Sequence, residues 1–195
     1  KLKNKPWVRI EGMVNPDEHK SARININSKK RIILYSGTLA SRYGILDLLS
    51  AFEMIDNPNY ELWICGAGNT ESVIKEKARK NSRIKYYGII ARKDVLILQQ
   101  NATVLVNPRT SNGEYTKYSF PSKTMEYLLS GIPTIMYHLP GIPNEYNEYL
   151  HFVPECNTTA LRNKIFEVCE LDSESRFIFG QKARNFVLEN KDYLS

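Results

Sequence analysis

From Arg31 onward the chain alternates short apolar runs of strand length with longer amphipathic segments, and nothing else in it constrains the fold as tightly. Ile32 to Tyr35, Tyr60 to Cys65, Ile84 to Tyr87, Thr103 to Asn107 and Thr134 to Tyr137 read as strands. Between them the spacing predicts helices ending at Phe52 and spanning Thr70 to Lys80, Arg92 to Gln100 and Pro121 to Ser130. A short helix near Asn144 to Glu148 and a last strand at Phe152 and Val153 come next, and helices over Leu161 to Leu171 and Arg176 to Glu189 finish the chain. Parallel neighbours must be joined by crossovers, and a crossover helix buries its apolar stripe only by lying on the sheet. The expectation is an α/β fold, doubly wound, with a mostly parallel sheet and helices on both faces.

The 195 residues suffice for one domain with a sizeable core and are too few for two complete α/β domains. Residues 1 to 30 lack the alternation and hold a turn-rich stretch from Gly12 to His19, with a short strand predicted at Trp7 to Ile10. They are read as a linker from a partner domain, and residues 31 to 195 as the folded unit. The first residue is Lys and no apolar leader core follows, so the sequence is expected to be a piece of a longer chain. Residues 1 to 31 carry nine Lys or Arg against three acids and the remainder eighteen of each, so the whole excess of +6 belongs to the N-terminal segment. That segment is either a solvated linker or a surface facing anionic lipid or an acidic substrate. The balanced body offers no basic and aromatic groove, which argues against nucleic acid as a partner. No apolar run reaches the length of a membrane-spanning helix. Cys65, Cys156 and Cys169 lack metal-ligand spacing and leave one thiol over, which points to a reducing cytoplasm.

In a doubly wound sheet the strand order reverses at one point, and ligands bind in the crevice that opens there at the strands' carboxyl ends. Here the crevice gathers two loops, Gly37 to Gly44 after the first strand and the polar Pro108 to Ser119 after the fourth. The helix behind the second loop starts at Pro121, which a first helical turn tolerates, and stops at Gly131, which adopts the left-handed conformation readily. Met125, Leu128, Leu129 and Ile132 make one apolar face, while Ser122, Lys123, Glu126 and Ser130 lie on another. Polar side chains beside the N–H groups of a helix N-terminus suit an anion such as a diphosphate. Glu126, one turn further in, has the chemistry to accept two hydrogen bonds from a ribose 2′,3′-diol, although a lone glutamate on a helix is equally often a surface residue. Gly66-Ala-Gly68 lacks the third glycine of a dinucleotide fingerprint and reads as a tight turn. His138 is a candidate pocket residue; His19 and His151 read as surface. No nucleophile elbow, Walker sequence or zinc spacing is present.

Several stretches, taken in order and spacing, resemble the C-terminal half of family 4 glycosyltransferases of the GT-B type, over roughly residues 30 to 190. They are Tyr35-Ser-Gly-Thr-Leu with Tyr43-Gly-Ile-Leu-Asp-Leu-Leu-Ser-Ala-Phe52, Leu62-Trp-Ile-Cys-Gly-Ala-Gly68, Ile84-Lys-Tyr-Tyr-Gly88, Phe120-Pro-Ser-Lys-Thr-Met-Glu-Tyr-Leu-Leu-Ser-Gly-Ile-Pro133 and Lys182-Ala-Arg-Asn-Phe-Val187. The resemblance implies a Rossmann-like domain that holds a nucleotide-diphosphate sugar, a UDP-sugar before a GDP-sugar, with no permanently bound cofactor and no metal required. It further implies a missing N-terminal domain for a glycan or lipid-linked acceptor, and transfer with retention. The family's paired glutamates, separated by seven residues, fall here on Tyr118 and Glu126. Its Arg and Lys on the diphosphate fall on Thr38 and Tyr43, with Arg42 next door. These departures match a subgroup found in bacterial surface-polysaccharide synthesis, such as capsule, with enzymes in the cytoplasm or peripheral to the inner face of the membrane.

On this resemblance Gly37, Thr38, Arg42 and Lys123 are expected at the phosphates, with N–H groups around Pro121, Ser122 and Thr124 completing an anion nest. Glu126 is expected on the ribose, Gly88 and Ile89 by the base, and Arg109, Glu114 and Tyr118 facing the transferred sugar. Two other classes stay open: a non-catalytic nucleotide-binding or scaffold module, and a UDP-sugar epimerase of the same fold.

Overall fold

A computed structural model describes residues 11, 13–15, 30–111 and 120–191. Six strands form one sheet, β1 (Arg31–Ser36), β2 (Tyr60–Cys65), β3 (Ile84–Gly88), β4 (Val104–Asn107), β5 (Thr134–Tyr137) and β6 (His151–Val153), in the spatial order β3-β2-β1-β4-β5-β6. Every neighbouring pair is parallel. The order reverses between β1 and β4, so the expected doubly wound α/β architecture is the observed one, with its switch point at the two loops that the sequence singled out.

Strands β1, β2, β4 and β5 are buried along nearly their whole length because helices cover both faces of the sheet there, whereas the edge strand β3 alternates between buried and more exposed positions. In β1, Ile33 and Tyr35 point into a cluster with helix α1 (Ile45–Glu53) and helix α5 (Thr158–Glu170), while Ile32 and Leu34 point the opposite way, toward Tyr127 and Ile132. Helices α2 (Glu71–Lys80) and α3 (Arg92–Asn101) are crossovers, and α4 (Ser122–Leu129) packs on the last helix, α6 (Ser173–Asn190). Asn144–Glu148 is a 3₁₀ helix, as is Ser41–Tyr43.

Helix α4 runs within the predicted span, capped by Pro121 and Ser130, and Gly131 takes φ +73° as its stop. It is not the half-exposed helix that its apolar spacing predicts: Thr124, Met125, Tyr127, Leu128 and Leu129 are all buried, between the sheet on one side and α6 on the other. Helices α5 and α6 each begin about three residues before the apolar periodicity does. Asn157 accepts a hydrogen bond from the Ala160 N–H (2.7 Å) and Asp172 one from the Ser175 N–H (2.8 Å), so the caps, not the apolar residues, set these starts. The strand predicted at Trp7 to Ile10 lies outside the described residues. Glu11 and Val14, within the segment read as a linker, dock on the domain: Val14 N–H donates to the Lys191 carbonyl (3.0 Å), and Tyr146 O–H donates to Glu11 (2.6 Å).

Candidate functional site

A cleft of about 590 Å³ opens at the carboxyl ends of β1 to β4 and the N-terminus of α4. The β1 loop lines it with Ser36, Gly37 and Thr38, the β2 loop with Cys65, Gly66 and Ala67, and the segment after β3 with Gly88, Ile89 and Ile90. From the far side come Asn107 and Arg109, then Pro121, Ser122 and Lys123 at the start of α4. Eight of the residues expected at a ligand site, Gly37, Thr38, Gly88, Ile89, Arg109, Pro121, Ser122 and Lys123, thus converge on one cleft.

Backbone hydrogen bonds explain why the glycine loop holds its position. Gly37 N–H donates to the Cys65 carbonyl (3.0 Å) and Leu39 N–H to the Ala67 carbonyl (2.9 Å). Gly66-Ala-Gly68 is therefore the seat of the β1 loop, consistent with a tight turn. Beneath the loop the Tyr35 hydroxyl donates to the Thr38 carbonyl at 2.7 Å, and burial pushes this phenol up to about 12. Burial also pushes the Cys65 thiol up to about 12, so it stays protonated and is a poor nucleophile. At the far wall, helix geometry leaves the N–H groups of Ser122 and Lys123 without intrahelical acceptors. Among the described residues no cluster of three or more His, Cys, Asp or Glu is placed to hold a metal ion.

Three expected site residues stand elsewhere. Thr124 is fully buried, its hydroxyl near the Asn107 amide (3.4 Å) and the Met136 sulfur (3.9 Å), and its N–H donates to the Pro121 carbonyl (2.8 Å). It cannot join an anion nest, because the first turn closes on it and the side chain fills the gap between α4 and the sheet. Arg42 is exposed and does not line the cleft; its guanidinium lies 5.0 Å from the Tyr43 ring centre and donates to the Tyr43 hydroxyl at 3.3 Å. Glu126 sits beside the cleft rather than in its wall. It borders a smaller cavity of about 250 Å³ with Val14, Asn15 and Arg92. Its carboxylate accepts from Lys123 (3.0 Å), Arg92 (3.1 Å) and the Gln99 amide. Burial alone raises its pKa, but Lys123, Gln99 and Arg92 outweigh burial and hold the carboxyl below its ordinary value. Glu114 and Tyr118 lie outside the described residues.

Three residues that the sequence did not single out complete the arrangement, Tyr127 in the cleft wall with Gln99 and Arg92 behind it, and Tyr43, noted only for departing from the family's lysine, also lines the wall. Tyr127 is fully buried, accepts from the Ser36 N–H (2.9 Å) and donates to the Ser36 carbonyl (3.2 Å), pinning α4 to the end of β1. Gln99, also fully buried, donates to the Ser36 hydroxyl (3.1 Å) and to Glu126. These pairs are separated by 91, 63 and 27 positions, so no local pattern marks them. His138 and Phe152 have ring centroids 4.9 Å apart, and His138 does not line the cleft. His151, read as surface, is half-buried against Phe179, and burial holds its pKa down at about 4.

The family model described as Glycosyl transferases group 1 matches residues 16–186. Among solved structures, sucrose-phosphate synthase from Thermosynechococcus elongatus superposes with a TM-score of 0.77 at 20% identity, over 94% of this chain and 48% of that one. HepE of Anabaena, in complex with UDP and glucose, does so with a TM-score of 0.75 at 14% identity, over 93% of this chain and 52% of that one. The C-terminal domain of a glycosyl transferase group 1 family protein from Francisella tularensis gives 0.73 at 14% identity, over 92% and 99%. The chain therefore spans about half the length of the first two and nearly all of the third. At these identities the likeness is one of fold. No curated protein sequence matches the chain.

Proposed function

Because the chain belongs to the glycosyl transferases group 1 family, we propose that it is the donor-binding half of a glycosyltransferase, holding a nucleotide-diphosphate sugar in the cleft while a partner domain presents a glycan or lipid-linked acceptor. The observation that carries this reading is the composition of the cleft at the switch point. It joins the Gly37–Thr38 loop and the first turn of α4 to Lys123 and Arg109, with the apolar residues Ile89, Ile90 and Val95 at the β3 side. Backbone N–H groups and cations at one end suit a diphosphate, and an apolar shelf at the other suits a base.

In this reading the diphosphate lies between Gly37–Thr38 and Ser122–Lys123, and the base lies against Gly88 to Ile90. Glu126, one turn along α4 from Ser122, is the ribose acceptor. Its carboxylate is held ionised by Lys123, Gln99 and Arg92, the state in which it accepts both hydroxyls of a diol. Transfer requires the diphosphate to leave with extra negative charge, and Lys123 with the α4 dipole stabilises that charge where it develops. Glu114 and Tyr118 are assigned to the sugar on sequence grounds. The family 4 assignment, retention, a UDP-linked donor and a role in bacterial surface polysaccharide belong to the same proposal, as does work at the cytoplasmic face of the membrane.

Calorimetric titration of the chain with UDP, GDP and ADP tests the reading. It expects at least one to bind below millimolar concentration. No binding of any of the three at millimolar concentration overturns it in favour of a scaffold module.

A further inference from the structure

Tyr43 stands at the end of the first switch-point loop, where the related family carries a lysine, and its surroundings bear on what replaces that charge. The next residue, Gly44, has φ +77°, and a Cβ built on it would lie 1.9 Å from the carbonyl oxygen of Pro108. The backbone after Tyr43 is thus pressed against the backbone before Arg109, a contact that only glycine permits. Tyr43 and Arg109 flank this one contact, and the Arg109 guanidinium lies 5.4 Å from the Tyr43 ring centre. The Arg42 guanidinium lies 5.0 Å from the same ring. Tyr43 and Arg109 both line the cleft; Arg42 does not.

Two guanidiniums gathered on one ring concentrate positive potential at the cleft between the phosphate-facing loops, and an anion entering there gains from both. The ring attracts the cation and restricts its rotamers, so a guanidinium held this way loses less entropy when it makes a bidentate contact to phosphate. We infer, resting on the reading of the cleft as a nucleotide-diphosphate site, that Arg109 contacts the sugar-bearing phosphate and that Tyr43 is the positioning residue that holds it there. Arg42 acts on the same phosphate from outside the cleft, through its charge alone. A cation from the loop after β4 thereby serves the phosphate at the Tyr43 wall, and Arg109 belongs to the leaving group rather than to the sugar.

The test titrates the 195-residue chain calorimetrically with UDP and GDP and, in parallel, with UMP and GMP, at low and high salt. Arg109→Gln is expected to weaken the diphosphate about tenfold or more and the monophosphate less than about twofold, the scale of one charge-assisted contact. Tyr43→Leu should weaken the diphosphate about fivefold, whereas Tyr43→Phe, which keeps the ring, should stay within about twofold of the unsubstituted chain. Arg42→Gln should cost less than Arg109→Gln, and its loss should vanish at high salt. Circular dichroism and melting temperature establish that each variant is folded; if Tyr43→Leu unfolds, Tyr43→Phe and Arg109→Gln carry the test. Equal losses for Tyr43→Phe and Tyr43→Leu, or equal losses of diphosphate and monophosphate in Arg109→Gln, overturn the assignment. If the unsubstituted chain binds neither diphosphate, the donor-site reading falls and takes the assignment with it. If it binds one and Arg109→Gln binds it as tightly, only the assignment falls.

Discussion

Both helical layers of this domain bury apolar side chains, but the layer beside the cleft also carries a buried polar network. On the α1 and α5 side the sheet meets an apolar cluster in which Ile33, Leu62, Ile64 and Val104 interdigitate with Leu48, Phe52, Leu161 and Ile165, all fully buried. On the α3 and α4 side the sheet also buries apolar residues such as Leu34, Leu105 and Ile132, but among them runs a hydrogen-bonded set, Tyr127 and Gln99 on Ser36 and Gln99 on Glu126, that ends beside the cleft, with Asn107 and Thr124 as a separate buried pair. An apolar layer tolerates small shifts at modest cost, whereas a buried hydrogen-bond network fixes its members because each unmade bond leaves a desolvated polar group. The first layer holds the sheet together. The second fixes α4 against the end of β1 so that the two walls of the cleft keep their spacing.

That contrast predicts a separation between stability and binding. The largest effect belongs to the apolar layer: Leu48→Ala should lower stability by about 2 to 5 kcal/mol in urea unfolding, with nucleotide affinity unchanged in the folded fraction. A comparable loss of affinity would mean that the layers are not independent. Next comes Glu126→Ala, expected to weaken nucleotide binding by about 1.5 to 3 kcal/mol, the scale for hydrogen bonds to a charged group, with the domain still folded. Unchanged affinity would confine Glu126 to the smaller cavity that it borders. Tyr127→Phe removes one hydroxyl from the network and should cost about 1 to 2 kcal/mol of stability. Unlike Leu48→Ala it should also weaken the diphosphate, because Ser36 forms the floor beside Gly37; stability loss without any change in binding would break the comparison.

The smallest effect is one of pH. Because the Glu126 carboxyl is held below its ordinary value in the folded protein, its ionisation favours the native state above the unfolded pKa, and that contribution is lost as the pH falls through the depressed folded value. Glu126→Gln should therefore show a shallower loss of stability on acidification than the unsubstituted chain. Parallel acid profiles would mean that Lys123, Gln99 and Arg92 do not hold the carboxylate ionised.

The same contrast explains what was legible in the sequence. The apolar layer and the sheet announce themselves through local periodicity, and the strand order follows because parallel crossovers admit few alternatives. The expected loops, Gly37 to Gly44 and Pro108 onward, fall at the switch point for the same reason. The polar layer has no such signal. Tyr127 looks like one more bulky residue in a short helix, and Gln99 like a surface amide, until each is placed beside Ser36. The burial of Thr124 does not follow from the sequence, because a single apolar stripe implies one buried face, whereas α4 is buried on two. Arg42 and Tyr43 could not be ranked from adjacency alone: the 3₁₀ turn at Ser41–Tyr43 puts Tyr43 in the cleft wall and leaves Arg42 outside it.

In the proposed function a nucleotide diphosphate sits between the Gly37 loop and the start of α4. Amide NMR of the chain titrated with UDP and with GDP addresses it directly. Saturable shifts are expected to be largest at Gly37, Thr38, Ser122 and Lys123, with smaller ones at Gly88 and Ile89. Saturable shifts centred on other residues, or none with either nucleotide at millimolar concentration, would contradict it.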